Sequence, residues 1–368
     1  MIPYGRQTID KKDISAVVRI LRSPYLTQGP KIAEFENSLA KYCGAKYAVA
    51  VSHGTAALYL AYLASGLQKG DEVIVTPNTF VATTNMLLAV GAKPVFCDIR
   101  LDTYNLDERQ IEKLVTKKTR AIVAVDFAGQ PCDYRVLAKV ARKHRLLLIA
   151  DASHSLGASI QGKKTGSLAD MTIFSFHPVK SITTGEGGAV LTNNAKFYRQ
   201  LLSLRSHGIH KDKDGSNVMT EMGFNYRITD IQAALGISQL RKLNSFVRAR
   251  RQVVSWYKGE LRGLRGIVLP EELSGNYSAW HLYIVRVSRP AWRGPLRDYL
   301  KSKGIGVNFH YPAVYSHPFY RKLGFGKKRF RNEEIYARTS ITLPCYPGLK
   351  KEEVHYISSC IKTWLQNN

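Results

Sequence analysis

The feature that most constrains the fold is an alternation of short apolar runs with amphipathic segments through the first two-thirds of the chain. The apolar runs cover residues 71–77, 94–98, 121–126 and 146–151, and the helix-like segments cover 79–90, 107–115 and 135–144. Buried strands alternating with helices predict an α/β fold, with a mainly parallel sheet covered on both faces. Ligands of such folds bind beyond the carboxyl ends of the strands, where we expect Asp98, Asp126 and Asp151.

The length of the chain, 368 residues, is enough for two domains. A long helical pattern begins near Thr229 and runs to Val254, and the chain beyond residue 266 has the mixed strand and helix signals of an α+β unit. We therefore predict a large domain over residues 1–240, including an N-terminal arm, and a small C-terminal domain over residues 241–368.

Cellular location is constrained by hydropathy and cysteine usage. The first 13 residues contain no apolar signal region, and the longest weakly polar stretch, residues 55–66, is shorter than the about 20 residues that span a bilayer. The five cysteines are odd in number and form no CxxC pair, which is typical of a reducing compartment rather than a disulfide framework or a zinc site. We predict a cytoplasmic protein with no membrane partner and no metal.

The charge of the chain is strongly positive. Lysine and arginine number 54 against 28 aspartate and glutamate residues, giving a formal net charge of +26 at pH 7. Such a field favours anionic ligands and leaves nucleic acid open as a partner. The sequence has no RNA-binding or helix-turn-helix signature and no regular stacking platform of aromatic residues, so a solvated basic surface is favoured over a nucleic-acid site.

Two side chains in the first two-thirds have the chemistry of a reactive centre. Asp151 ends a fully apolar run, where a carboxylate is either a surface cap or a buried group aimed at a ligand. Lys180 follows the predicted strand 171–176 in an apolar context and precedes the glycine-rich segment 183–188. A lysine in a partly desolvated pocket has a lowered pKa and becomes a competent amine for Schiff-base chemistry.

A candidate phosphate site lies at the start of a predicted helix. Residues 52–56 read Ser-His-Gly-Thr-Ala ahead of an apolar run, so backbone N–H groups and hydroxyls would converge there, although an ordinary helix cap would have the same sequence. Ser175 would add a hydroxyl, and Phe80 would stack on a ring. Residues 157–164 nearly match the Walker A pattern, but Lys164 stands where Ser or Thr must bind magnesium, so we predict a β-hairpin.

Taken together, these segments resemble the nucleotide-sugar aminotransferases of the aspartate-aminotransferase fold superfamily. The resemblance covers nearly the whole chain, with eight motifs in the expected order: residues 26–29, 54–56, 76–80, 151–154, 175–180, 185–188, 223–227 and 310–312. It implies pyridoxal 5'-phosphate (PLP) as cofactor and a fold type I architecture, with a mainly parallel mixed sheet in the large domain and a smaller α+β C-terminal domain.

The same resemblance implies a role for each matching residue. Lys180 would be the Schiff-base lysine and proton carrier, and Asp151 the partner of the pyridine nitrogen; these two are the predicted catalytic residues. The other expected cofactor contacts are Gly54, Thr55, Ala56 and Ser175 at the phosphate, Phe80 on the ring, His154 near the phenolic oxygen, and Asn225 reaching the phosphate of a neighbouring subunit. The expected substrate contacts are Tyr4, Leu26, Thr27, His310 and Tyr311. Arg227 is either structural or an anion ligand, and the shared site implies a homodimer.

Within the family, segments 125–132 and 175–188 are most similar to the branch that aminates C4 of a sugar nucleotide in pseudaminic acid biosynthesis. Asp126 stands where many relatives have histidine. The resemblance implies a UDP-linked 4-keto-6-deoxy-N-acetylhexosamine of the L-series as acceptor and L-glutamate as donor. Lys180 argues against the dehydrating branch, which has histidine at that position.

Other acceptors remain open from the sequence: GDP-4-keto-6-deoxymannose, UDP-4-keto-arabinose and dTDP-linked 3-keto sugars. A hypothesis of a different class is a regulator that keeps the PLP fold and contacts nucleic acid. The presence of both Lys180 and Asp151 argues against that hypothesis.

Overall fold

The computed structural model describes all 368 residues. The strands are β1 (Tyr47–Val51), β2 (Glu72–Val75), β3 (Lys93–Phe96), β4 (Thr119–Val125), β5 (Leu147–Asp151), β6 (Ser159–Ile160), β7 (Lys163–Lys164), β8 (Met171–Ser175), β9 (Gly188–Thr192), β10 (Ile209–Lys211), β11 (Asn217–Met219), β12 (Ile267–Val268), β13 (Asn276–Tyr277), β14 (Tyr283–Val287) and β15 (Ser340–Leu343). The helices are α1 (Lys11–Leu21), α2 (Pro30–Cys43), α3 (Gly54–Ala64), α4 (Ala82–Ala89), α5 (Tyr134–His144), α6 (Ala195–Arg205), α7 (Asp230–Leu240), α8 (Leu243–Leu261), α9 (Arg293–Ser302), α10 (Pro318–Lys322), α11 (Arg331–Thr339) and α12 (Lys351–Gln366). None of the helices is both long and apolar enough to span a membrane.

A seven-stranded sheet organises the first two-thirds of the chain, in the order β1-β9-β8-β5-β4-β2-β3. Strands β3, β2, β4, β5 and β8 run parallel, and β9 runs antiparallel to both β8 and β1. The prediction of a mainly parallel mixed sheet is therefore confirmed. Strands β1 and β9, at one edge of the sheet, were not predicted from the sequence, although β1 (Tyr47–Val51) is an apolar run.

Both faces of this sheet are buried, as expected for parallel strands. Successive residues alternate between two core clusters: Val73 and Val75 pack on one side, and Ile74 packs on the other. Helix α3 lies on the first face, and α5 lies on the second. The carboxyl ends of β4 and β5 are thereby held side by side, with Val125 opposite Asp151.

Two helix predictions were wrong. The segment 107–115 contains only one 3₁₀ turn, Ile111–Leu114, because the Asp107 carboxylate accepts hydrogen bonds from the backbone and side chain of Arg109 and from the side chain of Gln110. The pattern from Thr229 onward is two helices, α7 and α8, separated by Arg241 and Lys242. Its period continues across the break because Arg241 keeps helical backbone angles (φ −60°, ψ −24°).

The C-terminal third builds a second core around the sheet β12-β14-β15, with α8, α9 and α12 packed against it. The division at residue 240 stays a prediction. Residues from 313 to 330 pack into the core of the large sheet, and Ile2 pairs with Ile305, so chain segments cross between the two cores in both directions. The segment 157–164 forms the predicted hairpin, β6 paired with β7.

Candidate active site

A cavity of about 460 Å³ opens beyond the carboxyl ends of β4, β5 and β8. Its lining comes from the strand ends, from the loops that follow them and from the starts of α3 and α4, and a further part comes from residues 281–311 of the C-terminal third. Its volume lies within the about 300–1,000 Å³ range of small-molecule sites. The position agrees with the rule that ligands bind at this edge of an α/β sheet.

Asp151 is the last residue of β5 and lines the cavity with only 5% of its surface exposed. Its Oδ2 accepts a hydrogen bond from Thr83 Oγ1 (2.7 Å), and its Oδ1 accepts bonds from Ser153 Oγ (2.6 Å) and Ser153 N (3.2 Å). Thr83 Oγ1 also contacts Thr79 Oγ1 at 2.8 Å. The carboxylate is thus fixed in direction by neutral hydrogen-bond donors and forms no salt bridge within the chain, which suits a cationic group on a ligand.

Lys180 follows β8 in a short turn, with its backbone N–H bonded to His177 O at 2.9 Å. Burial lowers the pKa of its amine to about 8, and the Asp151 carboxylate opposes that shift. About a tenth of Lys180 is therefore an uncharged amine at pH 7, far more than for an ordinary lysine, and this is the form that attacks an aldehyde. Lys180 and Asp151 line the same cavity.

The start of α3 and Ser175 form a cradle of polar groups on one wall. Gly54, Thr55 and Ser175 line the cavity, and a Cβ at Gly54 would lie 2.9 Å from Ser175 Cβ and 3.0 Å from its Oγ. The missing side chain therefore lets the helix start close onto the serine hydroxyl. Ala56 does not line the cavity, because its N–H is donated to Nδ1 of His53, the N-cap residue, at 2.8 Å. In this structure the His53 ring accepts the N–H that Ala56 was expected to offer to the phosphate, and the cofactor contact of Ala56 stays a prediction.

Three buried imidazoles line the cavity. His154 and His310 were predicted, whereas His281 was missed because no local pattern distinguishes it. Burial lowers the pKa of His154 and of His281 well below the usual value, and the Lys180 charge adds to both shifts. Burial, followed by Lys180, lowers the pKa of His310 to about 4, and its Nδ1 lies 2.8 Å from Thr342 Oγ1. All three rings are neutral near pH 7.

The remaining predicted residues divide into two groups. Phe80, Tyr4 and Tyr311 line the cavity; the Phe80 ring lies 5.7 Å from the Tyr311 ring, and the Tyr4 ring lies 5.5 Å from the His310 ring. Leu26, Thr27 and Asn225 lie outside it on the exposed surface.

Two of the strand-end aspartates that we expected at this edge do not reach the cavity. Asp98 accepts backbone N–H groups at the start of α11, and Asp126 bonds to Ser155, Cys132 and Tyr134. Thr83 and Ser153, the hydrogen-bond partners of Asp151, were also not predicted from the sequence, because these polar side chains belong to no motif of their own.

These residues fit PLP. The cradle offers N–H groups and hydroxyls to a phosphate, Asp151 matches a protonated pyridine nitrogen, and Lys180 supplies the amine for a Schiff base. The buried Nδ1 of His154 has no partner within the chain. The fold and the site together define a PLP-dependent enzyme of fold type I.

Comparison with known proteins narrows this class. The DegT/DnrJ/EryC1/StrS aminotransferase family matches residues 7–362. The chain is 38% identical to a UDP-4-amino-4,6-dideoxy-N-acetyl-beta-L-altrosamine transaminase of Campylobacter jejuni, over all of this chain and 98% of the relative.

Two solved structures cover all of this chain and are themselves covered completely. PseC from Helicobacter pylori, an aminotransferase involved in the biosynthesis of pseudoaminic acid, has a TM-score of 0.96 at 34% identity. A putative sugar aminotransferase from Streptococcus pneumoniae, solved in PMP-form, has a TM-score of 0.96 at 32% identity. The chain belongs to the DegT/DnrJ/EryC1/StrS aminotransferase family and is a PLP-dependent sugar aminotransferase.

Proposed function

We propose that this enzyme transfers the amino group of L-glutamate to C4 of a UDP-linked 4-keto-6-deoxy-N-acetylhexosamine in pseudaminic acid biosynthesis. The observation that carries the proposal is the end-to-end similarity to the Campylobacter jejuni transaminase, at 38% identity without a large insertion or missing part. The cavity supports it with an amine and a carboxylate for amino transfer and neutral polar side chains that suit a sugar.

The side chains divide the work of the reaction. PLP, when bound, supplies an aldehyde for covalent attachment of the amino group and a protonated ring that withdraws electrons from the reacting carbon. Asp151 would keep that ring nitrogen protonated, and Thr83 and Ser153 hold Asp151 in place. Lys180 Nζ, with a pKa of about 8, takes the proton from the donor carbon and later delivers a proton to C4 of the sugar.

We further propose a homodimer in the cytoplasm. Asn225 is exposed and lies outside the cavity of its own chain, which is compatible with its expected contact to the phosphate of a second subunit. All five cysteines are buried free thiols, which supports a reducing compartment. Analytical ultracentrifugation should show a dimer for the wild-type enzyme and for Asn225→Ala. A titration with PLP, followed by absorbance, should show lower cofactor affinity in Asn225→Ala if the site is shared between subunits.

The substrate is tested by offering the cofactor-loaded enzyme L-glutamate and one of two epimeric UDP-4-keto-6-deoxy-N-acetylhexosamines, with mass spectrometry of the sugar nucleotide. We expect amination of the L-arabino epimer and formation of 2-oxoglutarate. Preference for the D-xylo epimer would contradict the proposed pathway. If neither epimer were aminated, GDP- or dTDP-linked keto sugars would become the candidate substrates. A reaction mixture without glutamate is the control.

A further inference from the structure

His281 is a buried polar side chain of the cavity that the chemistry described above does not use. Only 4% of its surface is exposed, and its Nδ1 has no hydrogen-bond partner. Its ring lies 4.4 Å from that of His154, whose Nδ1 is also buried and unpaired. Neither ring is held by a hydrogen bond through Nδ1, although both line the cavity.

Backbone hydrogen bonds fix the segment that positions His281 in the cavity. Ala279 N donates to Gly129 O (2.9 Å) and Leu282 N donates to Ala128 O (3.2 Å), so the segment 279–282 crosses directly over residues 128–129. Ala128 and Trp280 both have positive φ (57° and 45°), a conformation that L-residues rarely adopt. A Cβ at Gly129 would lie 2.7 Å from His281 N. Strained crossings of this kind persist where the position of a side chain matters.

The carbonyl of His281 is also held. Arg250, which is buried, donates from Nη1 to the oxygens of both His281 and Cys345. The backbone of His281 is thereby fixed from both sides, while its ring has no hydrogen bond to the protein. The ring is therefore available to a ligand through Nε2.

The charge state of the ring restricts the kind of ligand. Burial, the neighbouring His154 and the Lys180 charge all lower the pKa of His281, so the imidazole is neutral. Because its Nδ1 has no fixed partner, either tautomer is available, and Nε2 can donate or accept. Carboxylates and phosphates are bound best by cations, whereas a neutral imidazole matches hydroxyl, carbonyl and amide groups.

We propose that His281 is a specificity-determining residue whose Nε2 hydrogen-bonds an uncharged polar group of the keto sugar. The inference rests on the proposed reaction class but not on the particular sugar nucleotide. His281 lines the cavity together with Asn308, His310 and Tyr311, all from the C-terminal third, whereas the expected phosphate contacts Gly54, Thr55 and Ser175 come from α3 and β8, so His281 belongs to the part of the lining that we assign to the sugar. It therefore acts in the sugar half-reaction and not in the glutamate half-reaction.

The test compares the two half-reactions of the PLP holoenzyme by stopped-flow absorbance in wild type, His281→Gln and His281→Phe. The glutamate half-reaction should stay within about twofold of wild type in both variants, since no bond to the donor is removed. The specificity constant for the sugar should fall about tenfold in His281→Phe and less in His281→Gln, whose amide can still donate and accept. Calorimetry should show the same order for binding of the aminated sugar nucleotide.

His355→Gln is the matched control, because its imidazole is exposed and paired with Glu260 far from the cavity. Equal losses in both half-reactions, or no loss toward the sugar, would overturn the proposal for His281. Amination of a GDP- or dTDP-linked sugar instead of the UDP epimers would refute only the proposed substrate, and His281 would be tested on that sugar. A wild-type enzyme that aminates no keto sugar would overturn both.

Discussion

Replacing Asp151 with asparagine separates the charge of this carboxylate from its shape. Asparagine Oδ1 can still accept from Ser153, and its amide can face Thr83, whose hydroxyl can turn to accept. We therefore expect the free energy of unfolding of the apoenzyme to change by no more than about 1 kcal/mol. The negative charge that would face the pyridine nitrogen is lost.

The cost to catalysis follows from that lost charge. A hydrogen bond to a charged group is worth about 1.5–3 kcal/mol net, and about 1.4 kcal/mol corresponds to tenfold in rate. Asp151→Asn should therefore lower kcat about 10- to 100-fold and shift the absorbance spectrum of the bound cofactor. Steady-state amination and absorbance spectra measure the two effects.

Asp126→Asn is the matched control. Asp126 directly follows the neighbouring strand β4 and is completely buried, but its carboxylate bonds only to Ser155, Cys132 and Tyr134 and does not line the cavity. This variant should keep the cofactor spectrum and a kcat within roughly threefold of wild type. If both variants lost activity equally, or if Asp151→Asn kept wild-type kcat, the assignment of Asp151 would be refuted.

Three further predictions concern pH and the phosphate cradle. Burial raises the pKa of Asp126 to about 6, so the contribution of this carboxyl group to the free energy of unfolding should fall by up to roughly 3 kcal/mol as pH rises from about 4 to 6. Denaturant titrations of wild type and Asp126→Asn should show it as a difference between the two proteins that changes by that amount over this pH range, and a difference that does not change with pH would contradict it. The rate at which apoenzyme takes up PLP should rise with pH around the Lys180 pKa of about 8. The midpoint of this rise should lie at lower pH in Asp151→Asn, because the Asp151 charge raises the pKa of Lys180. An unchanged midpoint would contradict the electrostatic interaction between Asp151 and Lys180. Gly54→Ala places a Cβ 2.9 Å from Ser175 Cβ, so the affinity for PLP should fall at least about tenfold. Pyridoxal, which has no phosphate, should bind as tightly as to wild type. Equal losses of affinity for PLP and pyridoxal would argue against a phosphate cradle.

Local sequence patterns were sufficient to predict the site residues that lie at the ends of strands. Asp151 ends an apolar strand and Lys180 follows another, and in a parallel sheet such positions meet at one edge. The same reasoning also selected Asp98 and Asp126, which cap backbone N–H groups instead. A strand-end carboxylate reaches the cavity or turns into the protein depending on its neighbours, and the sequence does not specify those neighbours.

Features that depend on contacts between distant segments were not predictable. His281 enters the cavity because residues 279–282 cross residues 128–129, about 150 positions away in the chain. Ala56 loses its N–H to His53, a cap that the motif at residues 54–56 does not reveal. The helix break at Arg241 and Lys242 contains neither glycine nor proline, so the apolar period gave no warning of it.

The central claim is that Lys180 carries the cofactor of this sugar aminotransferase. Reduction of the PLP holoenzyme with borohydride, followed by digestion and peptide mass spectrometry, tests it most directly. We predict the added mass on the peptide that contains Lys180, with Lys180→Ala showing no labelled peptide and no multiple turnover. Labelling of another lysine, such as Lys164, or repeated turnover by Lys180→Ala would contradict the account.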